Sequence, residues 1–141
     1  MTTPRILVCG SRAVDHTSQI EYRKVSSFLN KFVFERKWIY EPDPYGNWLP
    51  RVVVIQGECP TGGIDSLADQ WAVCNWCKSE AYPVLREDIQ KWGFGIAANM
   101  RNQRMLDEGK PDVVIAFKGG RGTADMVDRA TRAGVEVIHA V

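Results

Sequence analysis

Residues 111–123 read Pro111-Asp112-Val113-Val114-Ile115-Ala116-Phe117-Lys118-Gly119-Gly120-Arg121-Gly122-Thr123. A short apolar strand runs into a turn with three glycines, and a helix is expected from Gly122 to Ala133. A helix entered from a buried strand presents unpaired N–H groups and the positive end of its dipole to anything anionic. Gly119, Gly120 and Gly122 remove the Cβ atoms that would hold a phosphate off the backbone. Thr123 adds a hydroxyl at the helix mouth, and Arg121 adds a fixed positive charge. Glycine turns also serve as plain strand-to-helix connections, so the loop needs support from the rest of the chain.

That support lies upstream. Arg5 to Cys9 reads as a buried strand ending at Gly10-Ser11-Arg12. A helix is expected from Thr17 to Lys37, with Ile20, Val25, Phe28, Leu29, Phe32 and Val33 apolar. Residues 38–50 hold three prolines and a Gly-Asn pair, the signature of a loop or hairpin excursion. Val52 to Gln56 is a second strand, followed by the turn-rich segment Gly57–Gly63. Further expectations are a helix over Ser66–Ser79, a strand over Ala81–Leu85, an irregular stretch Arg86–Phe94, a helix over Gly95–Glu108 and a last strand Val135–His139. Strands that alternate with helices and are continuously apolar imply a mostly parallel sheet covered on both faces. The fold class is α/β, a Rossmann-like three-layer sandwich. Ligands on such sheets bind beyond the strand carboxyl ends, where the strand order reverses. The three glycine turns all follow strand ends, which favours one composite site.

The chain has 141 residues and a net charge of +1, enough for one domain with its own core. The balanced charge argues against a bulk field that attracts nucleic acid. No leader or membrane-spanning run is visible, so a cytoplasmic location is expected. Cys74 and Cys77 form a C-x-x-C spacing inside an expected helix rather than at its start, where a thiolate would be stabilised. No second pair completes a zinc set, so no metal and no cofactor are expected.

Gly10-Ser11-Arg12, then Gly62-Gly63-Ile64-Asp65-Ser66-Leu67-Ala68 with Trp71-Ala72, then Arg101-Asn102 with Met105, and finally Gly119 to Met126 together resemble the SLOG superfamily, in particular its small YspA/YpsA-related bacterial and phage proteins. The likeness spans residues 1–141 as a single domain, with an insertion at about 35–50. It implies a Rossmann-like fold that binds nucleotides or nucleotide-derived ligands. The superfamily also holds the LOG phosphoribohydrolases and the Smf/DprA DNA-processing proteins. By the resemblance, Arg101 falls on the active-site arginine of the LOG pattern, and Gly119, Gly120, Gly122 and Thr123 fall on its phosphate loop. Met126 stands where those hydrolases carry glutamate, and a thioether is neither acid nor base. Asp125 lies one residue, or 100° of helix, away.

The expected ligand-binding set is Gly10, Ser11, Arg12, Gly62, Gly63, Asp65, Arg101, Asn102, Gly119, Gly120, Arg121, Gly122 and Thr123. Asp65 and Asp125 are the catalytic candidates should the protein be a hydrolase. Several of these have a plainer reading. Asp65 is either an N-cap or an acceptor for a ribose hydroxyl. Asn102, inside the apolar stripe of its helix, either bonds a neighbouring loop or touches the ligand. Ser11 either caps a turn or donates to phosphate. His16 and His139 carry no partner pattern and read as structural or exposed. Trp92 and Phe94 read as core residues, with a base pocket as the alternative. The functional expectation is a sensor or binding protein for a nucleotide or nucleotide-derived phosphate. An N-ribosidic hydrolase of nucleotides and a DNA-processing module of the Smf/DprA type are the alternatives. Acidic residues interleave with Lys24, Lys31, Arg36 and Lys37, so a nucleic-acid partner is the least favoured, and no membrane partner is expected. The aromatic stretch Phe28–Phe34 with Trp38–Trp48 offers a face for a homodimer or higher homo-oligomer.

Overall fold

The structure is a computed structural model and describes residues 2–140. Ten elements follow one another among the described residues, strands and helices in turn except for the consecutive α3 and α4: β1 (Arg5–Cys9), α1 (Gln19–Glu35), β2 (Val53–Gln56), α2 (Gly63–Cys74), β3 (Lys78–Ala81), α3 (Arg86–Trp92), α4 (Phe94–Gly109), β4 (Val113–Ala116), α5 (Arg121–Arg132) and β5 (Glu136–His139). The strands form one parallel sheet in the order β3-β2-β1-β4-β5. The chain builds outward from β1 through β2 to β3, then crosses back to place β4 on the other side of β1. The order therefore reverses at β1/β4, which opens a crevice beyond their carboxyl ends.

Side-chain alternation along the three central strands divides the core. Ile6, Val8, Val54, Val113 and Ile115 face α1 and α2, where they meet Val25, Leu29, Val33, Leu67, Ala68 and Trp71. Leu7, Cys9, Ile55, Val114 and Ala116 face α4 and α5, where they meet Met105, Leu106, Met126 and Ala130. Burial on both faces is why these strands read as unbroken apolar runs rather than alternating ones. The Rossmann-like sandwich expected from the sequence is the observed fold.

Four expectations are corrected. The third strand lies at Lys78–Ala81 instead of Ala81–Leu85. It is an edge strand, polar because only one side is paired, and Lys78 and Arg5 both pair with its Glu80. Residues 86–92 are helical, not irregular. Glu87 and Asp88 favour that first turn, but the helix buries nothing, so no periodic stripe announces it. The second helix begins at Gly63 and stops at Cys74, not Ser79. It stops because Trp76 is left-handed (φ 60°), while Trp76 N–H bonds Val73 O and Cys77 N–H bonds Ala72 O. This is a Schellman end without its usual glycine. The C-x-x-C pair therefore straddles a helix terminus. Finally, Trp92 and Phe94 are 49% and 40% exposed and belong to the surface rather than the core.

Residues 38–50 form the hairpin excursion. Ile39 and Pro50 bridge antiparallel, Tyr40 N–H bonds Leu49 O, and Asp43 gathers the N–H groups of Tyr45 and Asn47 in the tip. Trp38 packs edge-on against Phe32, and Trp48 lies against Phe34, so the excursion folds back on the end of α1.

Candidate functional site

The three glycine loops converge at the reversal point and touch one another through backbone. Ser11 N–H donates to Lys118 O at 3.0 Å, Ile64 N–H donates to Ser11 O at 3.0 Å, and the Thr61 hydroxyl donates to Arg12 O at 3.1 Å. Gly63 (φ +61°) is what permits the second contact. A Cβ there would stand 2.5 Å from both Arg12 Cα and Ser11 O. Gly119 is equally constrained, since its Cβ would meet the Thr123 hydroxyl and lie 3.0 Å from Gly10 C. Gly10 itself leaves room for Ile64 and Phe117. Close packing of this kind needs missing side chains on facing loops, which is why the glycines cluster here.

Beyond that seam α5 opens with Gly120 at its N-cap and no side-chain cap. Its first N–H groups are thus available to an anion. Gly119, Gly120, Arg121 and Gly122 are exposed, as are Arg12 and Lys118. Arg12 sits 5.5 Å from the Phe94 ring centroid, which ties the start of α4 to the rim of the crevice. Ser11 Oγ accepts from Ala13 N–H at 3.0 Å, and its own hydrogen remains free to donate outward.

Other candidates face inward. Arg101 Nη1 donates to Gly57 O at 2.5 Å and to Tyr82 O at 3.3 Å, and Nε donates to Asn102 Oδ1 at 3.2 Å. Asn102 is 4% exposed, and its amide donates to Gly122 O at 3.1 Å and to Asp125 Oδ2 at 3.0 Å. Asp125 also pairs with Arg129 at 2.8 Å, and Arg129 reaches Gln103. Arg101 therefore braces the loop after β2, while Asn102 clamps the start of α5 to α4. Asp65 lies in the first turn of α2, behind the N-cap Gly62, so it is not the cap. Burial pushes its carboxyl up to about 6, opposed by the Arg101 guanidinium and the N–H groups of Cys59 and Gly57. Burial in turn lowers Arg101 from its usual value. Gly57 is the spacer between them, since a Cβ there would meet Arg101 Nη1 at 2.5 Å and Asp65 Oδ2 at 3.0 Å. Met126 is fully buried in the core between α5 and the sheet.

A cavity of about 330 Å³ adjoins the loop after β2. His16, Gln56, Glu58, Cys59, Gly62 and Asp69 are among the residues lining it. Gln56 and His16 carried no motif, and only the fold brings them together. Among the described residues, no three His, Cys, Asp or Glu side chains gather as a metal-binding set, and no helix is long and apolar enough to cross a membrane.

Fold and site together define an α/β protein of Rossmann-like architecture with a glycine-lined crevice at its strand-order reversal. In comparisons with known proteins, no family model, no curated protein and no solved structure matches this chain.

Proposed function

We propose that the protein binds a nucleotide or nucleotide-derived phosphate ligand in the β1/β4 crevice, as a sensor or ligand-binding protein of the SLOG type. The convergence of three strand-end loops on the uncapped N-terminus of α5 carries this reading. Backbone N–H groups there are not consumed by a side-chain cap, and Arg12, Lys118 and Arg121 supply charge at the rim. Arg101 and Asn102 serve the site indirectly by holding its walls. The test is a thermal melt against nucleoside phosphates, nucleotide sugars and ADP-ribose, alongside mass spectrometry of small molecules released from the purified protein. A ligand at a hundredfold excess over Kd adds about 2.7 kcal/mol, which for a chain of this length is about 9 °C in Tm. A panel in which no phosphate compound moves the melt refutes the reading.

One observation favours a hydrolase of N-ribosidic bonds as the second reading. The Asp65 carboxyl, near 6, is in the range useful for proton transfer. In that reaction water adds to C1′, the bond to the base nitrogen breaks, and the base leaves protonated. Release of free base from nucleoside monophosphates, abolished in Asp65→Asn, is the expected result. Turnover unaffected by that substitution removes Asp65 from the role. Asp125, bonded to Asn102 and Arg129, is placed to hold α5 rather than to meet a substrate.

A further inference from the structure

The cavity beside the crevice has a chemical character of its own. Gln56 ends β2 and is 4% exposed. Its Oε1 accepts from Glu58 N–H at 2.5 Å, whereas its Nε2 hydrogens meet no protein acceptor among the described residues. Unlike Ser79 Oγ on the edge strand, the buried side-chain polar atom left without a partner among the described residues, they are not sealed from solvent but border the cavity. Donors that reach a cavity from an otherwise buried side chain can exchange solvent for the acceptor of a ligand. Around the same space stand two carboxylates, Glu58 and Asp69, together with Ser66 and His16. Glu58 is held in the left-handed region (φ 47°), a conformation that non-glycine residues adopt rarely. The turn that gives Gln56 its bond also sets Glu58 on the cavity wall.

The cavity and the crevice share a wall. Gly62 lines the cavity, and a Cβ on it would strike the His16 ring. Beside it the Thr61 hydroxyl donates to Arg12 O, Ile64 N–H donates to Ser11 O, and Gly63 lies against the Ser11–Arg12 backbone. A ligand with its phosphate on α5 has this cavity on the β2/β3 side of the same edge. Its volume lies at the small end of the range for small-molecule sites.

We infer that this cavity is a base subsite, selective for guanine, for the nucleotide bound in the crevice; the inference rests on the phosphate reading above. Guanine presents N1–H and its 2-amino group side by side, a pair of donors that one carboxylate accepts in bidentate fashion. Its O6 is the adjacent acceptor that the Gln56 amide lacks. Adenine sets the N1 lone pair against a carboxylate, and uracil offers one donor between two acceptors. Cytosine has an amino group but turns N3 and O2 on the remaining carboxylate. A carboxylate beside an amide donor thus matches guanine best, and the cavity wall offers two carboxylates for that contact. A site built around hydrogen bonds rejects a ligand that leaves them unpaired far more strongly than an apolar pocket does.

The experiment is calorimetric titration of the full chain with GMP, AMP, CMP, UMP, guanosine and ribose 5-phosphate, repeated on Asp69→Asn and Glu58→Gln. Each variant's fold is checked by its melt, and the exposed Glu58 provides a second readout if Asp69→Asn is poorly folded. The expected result is that GMP binds at least tenfold tighter than the other three nucleotides and ribose 5-phosphate. In at least one of the two variants, the one whose carboxylate meets N1–H and the 2-amino group, that preference shrinks to about threefold or less, because a carboxamide turns a donor toward guanine; a preference kept in both variants overturns the inference. Equal binding of all four nucleotides and ribose 5-phosphate overturns the base subsite and leaves the phosphate reading intact, as does a preference for AMP. Guanosine binding that weakens in the variants, with no response to ribose 5-phosphate, supports the subsite while refuting the phosphate reading. Absence of binding by both GMP and guanosine overturns the inference.

Discussion

Replacing Gly63 with alanine tests whether the three-loop seam is rigid, and Gly134→Ala is its internal control. Both glycines have positive φ, +61° and +76°. A Cβ at Gly134 meets nothing within 4 Å, whereas at Gly63 it lands 2.5 Å from the Arg12 and Ser11 backbones. Gly134→Ala therefore costs the left-handed strain alone, about 1–2 kcal/mol. Gly63→Ala adds the displacement of a packed backbone, about 1–3 kcal/mol more. For a chain of 141 residues each kcal/mol lowers Tm by about 3 °C. The control should fall by about 3–6 °C and Gly63→Ala by about 6–15 °C. Circular dichroism melts measure both, and phosphate-ligand titration of the surviving folded protein measures the site. Gly63→Ala should lose affinity, because the Ser11–Arg12 loop must retreat from the crevice, while Gly134→Ala, at the far end of α5, should not. Equal Tm losses in the two variants, with ligand affinity kept in both, would refute the argument that glycine packing shapes this site.

Three further outcomes are expected. Met126→Ala removes a fully buried side chain and should cost about 2–5 kcal/mol in urea unfolding. Met126→Glu, the residue of the LOG pattern, should be worse, because it buries an unpaired carboxylate; a Met126→Glu protein as stable as Met126→Ala would contradict a sealed core at this position. Arg121→Ala, at an exposed position, should leave stability within about 0.5 kcal/mol. It should weaken phosphate binding about tenfold through loss of one charge-assisted bond, and unchanged affinity in a titration would remove Arg121 from the site. The Asp65 carboxyl is raised from 3.8 to about 6 in the fold, so the native state binds this proton more tightly than the unfolded chain does. Its contribution is complete below about pH 4 and declines as pH rises through 6. Asp65→Asn should flatten that decline in the urea midpoint between pH 4 and 7, and identical pH profiles for the two proteins would disprove it.

The helix ends show where sequence reading succeeds and where it stops. α1, α2 and α5 all close with the same pair of backbone bonds around a left-handed residue, at Lys37, Trp76 and Gly134. Gly134 marks its turn openly, and the end of α5 was legible to within a residue. Trp76 does not, and the expected helix overran Cys74. The central strands were legible because burial on both faces demands continuous apolar sequence, whereas the polar edge strand β3 and the unburied helix α3 gave no such signal.

At the site the division is similar. Gly10, Gly63 and Gly119 were readable because the close approach of facing loops leaves no room for a Cβ. Arg101 and Asn102 were readable as residues that need partners but not as to which. Their acceptors at Gly57, Tyr82, Gly122 and Asp125 are 19 to 44 residues distant in the chain. The cavity itself was not visible, since His16, Gln56, Glu58 and Asp69 come from three separate segments; of these linings only the Gly57–Gly63 turn, with Gly62, stands out in the sequence. Sequence alone determined the buried parallel sheet and the glycine crevice, because both depend on local residue type and periodicity. The tertiary structure alone decided which polar side chains are already satisfied and which, like the Gln56 amide, remain open, because hydrogen-bond partners are a property of long-range packing.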